Sequence, residues 1–321
     1  MLPSTPNYMR FGIIGAPVTG SMSPRLFRAA YGGKYAYDLI EEDDFDKAWG
    51  RFLAGYNGVN VTAPFKAAAA AAGDVQSPEV ARIGAANLAV KTPQGVKVFN
   101  TDYAGVLRAL APALGSAVCP TASDKTKMAH GAIPRPGTSL VIPRPEAESI
   151  SCCGKRAVIV GCGGAGRAAA AAAADLGLGV TLVNRTLDKA MAMAADEALW
   201  RKIPDQVGND AGDSLASARN DKEDGRSVSV LPLARLREAV READVVIYTI
   251  PFAVPELEAI SRDDWKGRIV LEANYKTPVL TECGATYISG RSWLLHQADA
   301  GYSIFTGEKP DFSAMLAETE K

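Results

Sequence analysis

The run Gly58-Val59-Asn60-Val61-Thr62-Ala63-Pro64-Phe65-Lys66 sets one lysine at the mouth of an alanine-rich helix, behind a short β-rich stretch, a turn and a proline. A lysine held by rigid neighbours can give or take a proton. Asn100-Thr101-Asp102 offers a carboxylate to hold it, because a carboxylate near an ammonium orients it. The third group is Gly161-Cys162-Gly163-Gly164-Ala165-Gly166, with the spacing G-x-G-x-x-G. Alone that spacing is a weak signal. Here it follows the apolar run Ala157-Val158-Ile159-Val160 and opens an alanine-rich helix, the context the motif requires. Glycines at 161, 163 and 166 let the backbone come close to a pyrophosphate, and the free N–H groups at the helix start carry positive partial charge. Lysine, carboxylate and dinucleotide loop together point to hydride transfer coupled to movement of a proton, with Lys66 and Asp102 at the centre.

The second apolar strand, Val180-Thr181-Leu182-Val183, ends about 20 residues beyond the loop, where the cofactor ribose should lie. An NAD site would place Asp or Glu there. This chain has Asn184-Arg185-Thr186, with Lys189 nearby. A guanidinium and an ammonium favour a 2′-phosphate, so the expected cofactor is NADP.

Other elements must carry these groups. Phe11 to Gly15 reads as a buried strand, and Ser23-Pro24 as the capped start of a helix to about Tyr31. Tyr35 to Ile40 and Gly58 to Val61 read as strands, with a helix over Phe45 to Leu53 and another from Pro64. Leu88–Val90 and Val96–Phe99 read as two strands joined by Pro93-Gln94-Gly95. Further on, the pattern gives helices at 167–176, 233–242 and 293–300, and strands at 245–250 and 268–271. Alternation of strand and helix predicts α/β sheets. Residues 116–150, with five prolines, and the polar stretch 202–227 read as insertions.

The net charge of −1 leaves no field to recruit nucleic acid or an anionic membrane. No apolar run approaches the roughly 20 residues of a spanning helix, and the first residues lack a secretory pattern, so a cytosolic setting is expected. Five cysteines without a CxxC pair and two histidines argue for free thiols and against a metal site.

Taken singly, the candidates have duller readings. Lys66 could be a solvated lysine, Asp102 or Ser23 a helix cap, Asn60 a turn residue, and Gln297 a helix-surface amide. The glycine loop could be a helix start behind a tightly packed strand. His296 reads as structural, since neither proton step needs it.

In combination, and in order along the chain, these segments resemble the shikimate dehydrogenase family. Gly15 to Pro24 is similar to that family's N-terminal substrate motif, whose two serines, here Ser21 and Ser23, bind the shikimate carboxylate. Gly58 to Lys66 resembles its GxNVTxPxK run, which places Asn60 and Thr62 at the substrate and makes Lys66 the catalytic lysine. Gly84-Ala85-Ala86-Asn87 resembles its GAxN segment, with Asn87 on substrate hydroxyls. Asn100 to Gly105 resembles NTDxxG, with Asp102 as catalytic partner. Leu294-Leu295-His296-Gln297-Ala298 resembles its C-terminal helix, with Gln297 reaching substrate, and Tyr275 sits in a shortened version of a family loop. The loop Gly161, Gly163, Gly164, Ala165, Gly166, then Asn184, Arg185, Thr186, Lys189 and Thr249, would hold NADP.

The resemblance implies a substrate-binding domain over 1–105, completed by 290–321. It also implies an NADP-binding Rossmann domain over 106–289, with a cleft between the two. The implied reaction interconverts shikimate and 3-dehydroshikimate, in a monomer or homodimer. A quinate/shikimate or aminoshikimate dehydrogenase uses the same scaffold. A ligand-sensing regulator would also keep the fold, but it has no need of Lys66 and Asp102 together. The chain departs from the family pattern at Gly20 (usually His), Leu88 (usually Thr), Tyr248 and Trp293 (usually Met).

Overall fold

The computed structural model describes residues 9–115, 154–201 and 228–321. The expected insertions, 116–150 and 202–227, lie outside the described residues.

The first half is built on β1 (Arg10–Gly15), α1 (Ser23–Tyr31), β2 (Ala36–Glu41), α2 (Phe45–Gly55), β3 (Gly58–Val61), α3 (Lys66–Ala72), β4 (Val75–Gln76), α4 (Pro78–Ile83), β5 (Leu88–Thr92), β6 (Gly95–Phe99) and α5 (Thr101–Leu110). Its sheet runs in the order β2-β1-β3-β5-β6-β4. The apolar β1 is buried along almost its whole length and lies parallel to both β2 and β3. The hairpin β5–β6 enters antiparallel to β3, in the register Asn60 opposite Leu88. That register sets Asn87 beside the end of β3, where Val61 N donates to Asn87 O at 2.8 Å.

The second half follows β7 (Arg156–Val160), α6 (Gly164–Asp175), β8 (Gly179–Asn184), α7 (Leu187–Ala194), α8 (Glu197–Trp200), β9 (Val228–Pro232), α9 (Leu236–Glu242), β10 (Val245–Tyr248), α10 (Arg262–Trp265), β11 (Ile269–Glu272) and β12 (Thr286–Ile288). All pairings are parallel, in the order β12-β11-β10-β7-β8-β9. Read from β7, that is the doubly wound order of dinucleotide-binding sheets, with the reversal between β7 and β10. Ligands bind such sheets in the crevice at that reversal. Two last helices, α11 (Gly290–Thr306) and α12 (Phe312–Thr319), return to the first half.

Helix α5 belongs to both halves. Its Val106, Leu107 and Leu110 share a core with Ala168 to Ala173 of α6, while Ala104 packs into the core of Phe11, Phe27 and Phe305. The expected boundary at 105/106 falls inside this helix, whereas 289/290 coincides with the start of α11. A buried polar cluster adds to the join. Arg82 of α4 pairs with Asp175 at the end of α6 (2.6 Å and 3.0 Å) and donates to Leu199 O of α8 at 2.8 Å. Tyr103 of α5 donates to the same carboxylate.

Several expectations need correction. Ser23 is not a cap: α1 starts at Ser23 itself behind Met22, and Ser23 is buried with its carbonyl accepting from Tyr302 Oη at 3.0 Å. The duller alternative for Asp102, a cap of α5, is also ruled out, since Asn100 accepts from Tyr103 N. The helix expected from Pro64 starts at Lys66, because Thr62 to Phe65 close a turn first. The strand expected over 245–250 stops at Tyr248. The helix expected over 293–300 runs from Gly290 to Thr306, since burial of Trp293, Leu295, Tyr302 and Phe305 carries it through Gly301.

Candidate active site

The end of β3 and the turn after it deliver Lys66 to the first turn of α3, and β6 delivers Asp102 to the first turn of α5. The two side chains meet there, with Lys66 Nζ 2.5 Å from Asp102 Oδ2. The pair is largely withdrawn from solvent, with side-chain exposures of 19% and 7%. An ion pair so placed has a fixed geometry, unlike one between solvated side chains.

Around it stand the amides. Asn87 is buried, and its Nδ2 donates to Thr101 Oγ1 at 3.0 Å and to Gln297 Oε1 at 2.9 Å. Its Oδ1 accepts from Thr101 N at 2.7 Å, so the amide cannot turn over. Gln297, on α11, is therefore part of a network and not a loose surface amide. Asn60 sits in β3 and not in a turn, and its Oδ1 accepts from Tyr37 Oη at 2.6 Å. Desolvation pushes the Tyr37 phenol well above its ordinary value, so it stays a donor. Thr62 lies one residue beyond β3, its N donating to Ile14 O at 3.0 Å.

Ser21 and Ser23 converge at the start of α1, their hydroxyl oxygens 3.2 Å apart. Met22 N points at Tyr275 Oη across 3.5 Å. Two hydroxyls, a phenol and a helix N-terminus make a suitable seat for an anion. Ser21 follows a turn closed by Ser21 N to Val18 O at 3.0 Å. Gly20 has φ 77° in that turn, which a side-chain-bearing residue rarely adopts.

On the other side, β7 runs into the glycine loop. Gly163 is the residue before α6 and has no side chain to cap it, so the first N–H groups of α6 have no side-chain cap among the described residues. A Cβ on Gly166 would overlap the carbonyl of Gly161, which explains the glycine there. Gly164 and Ala165 begin α6, and Gly164 packs on Lys66: an added Cβ would lie 3.3 Å from Lys66 Cδ. The loop thus abuts the lysine. Thr249, just past β10, donates its hydroxyl to Val160 O at 2.9 Å and ties the two strands at the reversal. Asn184 Oδ1 accepts from Cys162 N at 3.3 Å, while Arg185 and Thr186 just past β8, and Lys189 in the first turn of α7, are exposed. Neither Arg185 nor Lys189 is ion-paired among the described residues.

The departures from the expected motifs sort by location. Leu88 and Tyr248 are fully buried and belong to the cores, as does Trp293. Only Gly20 lies in the serine turn. Sequence reasoning missed Tyr37, Arg82 and Asp175, because their partners lie on other elements. Among the described residues there is no group of three or more His, Cys, Asp or Glu placed to hold a metal ion, and no helix is long and apolar enough to cross a membrane.

His296 adjoins Gln297, but its ring packs against Phe312 with centroids 5.6 Å apart. Burial, helped by the positive charge of Arg108, pushes the imidazole down to about 4. Between pH 6.5 and about 4 the unfolded chain takes up a proton that the folded chain refuses, so stability falls as the solution is acidified through that window. The full effect is about 3 kcal/mol. Urea unfolding of His296→Gln across that pH range should give a curve flatter than wild type by about that amount; parallel curves would clear the imidazole of any part in it.

The comparisons agree with the geometry. Residues 13–89 match the family described as the shikimate dehydrogenase substrate binding domain. A shikimate dehydrogenase (NADP(+)) of Acidiphilium cryptum is 32% identical over 308 residues, 93% of this chain and 91% of that one. One from Halobacterium salinarum is 32% identical over 323 residues, 96% and 97% of the two chains. Among solved structures, Mycobacterium tuberculosis shikimate dehydrogenase matches with a TM-score of 0.66 and 26% identity, over 97% of this chain and 98% of that one. Shikimate 5-dehydrogenase of Thermus thermophilus, in complex with NADP(H) and shikimate, matches with a TM-score of 0.65 and 25% identity, over 97% of this chain and 98% of that one. With its sequence relatives aligned over nearly their whole length, the chain belongs to the shikimate dehydrogenase family.

Proposed function

We propose that this chain is an NADP-dependent dehydrogenase that interconverts shikimate and 3-dehydroshikimate, with Lys66 and Asp102 as its proton-handling pair. The observation that carries this is the ion pair itself, 2.5 Å long, sheltered, and packed against the glycine loop. A ligand sensor has no use for such a pair.

The chemistry that NADP supplies when bound is hydride exchange with the carbinol carbon. Gly161 to Gly166 would hold its phosphates on the uncapped N–H groups of α6, and Asn184, Arg185, Thr186 and Lys189 its 2′-phosphate. Thr249 shapes the backbone near the nicotinamide end. In ketone reduction, Lys66 Nζ donates a proton to the oxygen that becomes the hydroxyl; in alcohol oxidation it takes that proton back. Asp102 holds the ammonium in place. Ser21, Ser23 and Tyr275 take the carboxylate, and Asn60, Thr62, Asn87 and Gln297 take the ring hydroxyls. The rigid Asn87 amide favours one orientation of the ring over another. A cytosolic monomer or homodimer fits this reading, given the near-neutral charge and the free thiols of Cys162 and Cys283.

Purified protein given shikimate should reduce NADP, with quinate and aminoshikimate as the rival substrates. Tight binding without turnover of any of the three would leave the sensor as the better account. In the same assay Arg185→Ala should raise KM for NADP by about tenfold or more and leave KM for NAD nearly unchanged. Equal effects on both would remove the 2′-phosphate from Arg185.

A further inference from the structure

The short loop after β11 reaches from the second half to the serine turn of the first, and it carries a lysine that the roles above do not use. Asn274 fixes the loop. Its Nδ2 donates to Pro251 O at 2.8 Å and to Thr277 O at 2.7 Å, and its Oδ1 accepts from Lys276 N at 3.1 Å and Thr277 N at 3.2 Å. Tyr275 consequently meets Met22 N, and Lys276 leans over Gly20. Lys276 Nζ donates to Thr19 O at 3.3 Å and lies 3.8 Å from where a Cβ on Gly20 would stand. A side chain at position 20 would occupy the space the ammonium approaches.

Lys276 has no committed anionic partner. The nearby carboxylate, Glu41, feels the charge of Lys276 but forms no ion pair with it among the described residues; its Oε2 accepts from Val18 N and Thr19 N, both at 3.0 Å, and from Thr19 Oγ1 at 2.8 Å. Those hydrogen bonds, the Thr19 hydroxyl first, hold Glu41 below the usual carboxylate range, with the charge of Lys276 a lesser influence. Among the described residues Lys276 forms no ion pair. A neutral backbone carbonyl is a weaker partner for an ammonium than a carboxylate bound nearby would be.

We propose that Lys276 is a substrate-positioning and specificity residue: its ammonium crosses the cleft to the carboxylate seated at Ser21 and Ser23, supplying a full positive charge at that seat. This rests on the carboxylate-binding reading of Ser21 and Ser23. Lys276 gives the site a preference for acids over uncharged analogues, and the preference weakens as salt screens an exposed charge.

The experiment is steady-state kinetics at saturating NADP on the full chain, with shikimate and with its neutral carboxamide, for wild type, Lys276→Met, Lys276→Arg and Ser21→Ala. Lys276→Met should raise KM for shikimate roughly tenfold with kcat within about twofold, and should leave KM for the carboxamide unchanged. Wild-type KM for shikimate should rise with salt, that dependence should flatten in Lys276→Met, and Lys276→Arg should restore both. An unchanged KM in Lys276→Met, or the same change for acid and carboxamide, overturns the proposal. If Ser21→Ala raises KM for shikimate while Lys276→Met does not, the serine seat stands and Lys276 alone is discarded. If neither variant moves KM, the carboxylate binds elsewhere and both readings fall.

Discussion

Lys66→Ala should retain about a thousandth of the wild-type kcat for shikimate oxidation, with KM changed by no more than about threefold. The reason is where the side chain is and what else it does. Its Nζ is 2.5 Å from Asp102, and its stem packs on Gly164 of the cofactor loop. Its backbone carbonyl accepts from Ala86 N at 2.8 Å, a bond that alanine keeps. Anchoring of the carboxylate and the ring hydroxyls falls on other residues, so loss of the ammonium removes proton transfer and leaves most of the binding. Asp102, 7% exposed, would be left without its cation, so a melting curve should accompany the kinetics. Substrate affinity measured by calorimetry separates the two effects. A variant with more than about a tenth of wild-type kcat would show that another group moves the proton.

The second large effect is on stability. Arg82→Met should cost about 3–5 kcal/mol, because it strands a buried carboxylate. Arg82 is 4% exposed and Asp175 12%, and Tyr103 shares that carboxylate. For a chain of this size the loss should appear as a fall of about 10 °C in melting temperature. Arg82→Met combined with Asp175→Leu should recover a good part of it, since removing both charges leaves neither unpaired. If the double variant melts no higher than Arg82→Met, the loss comes from packing and not from the stranded charge. Among the described residues neither Arg82 nor Asp175 hydrogen-bonds Lys66 or Asp102, so kcat at low temperature should stay within a few-fold of wild type.

What could be read from the sequence depended on how local its signal was. The strand, loop and helix around Gly161 announce themselves within twenty residues, and β1 and β3 are short apolar runs bounded by turns. Lys66 and Asp102 lie on separate elements 36 positions apart, so their residue types suggested a pair that no local pattern fixed, and the family resemblance gave the stronger reason to join them. Arg82 gave no such signal. On its six-residue helix it looks like any solvated arginine, and its partner is 93 positions away on another sheet's helix. Ser23 misled because Ser before Pro usually caps a helix, whereas here Met22 precedes the first turn and Ser23 is turned inward. The end of α11 was cut short in the same way, since Gly301 reads as a stop unless one knows that Tyr302 and Phe305 have a core to enter. The four-residue helices α8 and α10 are too brief to leave a periodic pattern.

Helix α5 bears on how such enzymes could be recombined. One end holds the carboxylate that grips Lys66, and the other fills the core beneath the alanines of α6. A chimaera that joined the front of one relative to the back of another at residue 105 would splice unrelated halves of a single helix. A graft meant to exchange cofactor preference should therefore keep α5 whole, and should bring the residues that face it on α6 and α11 from the same parent.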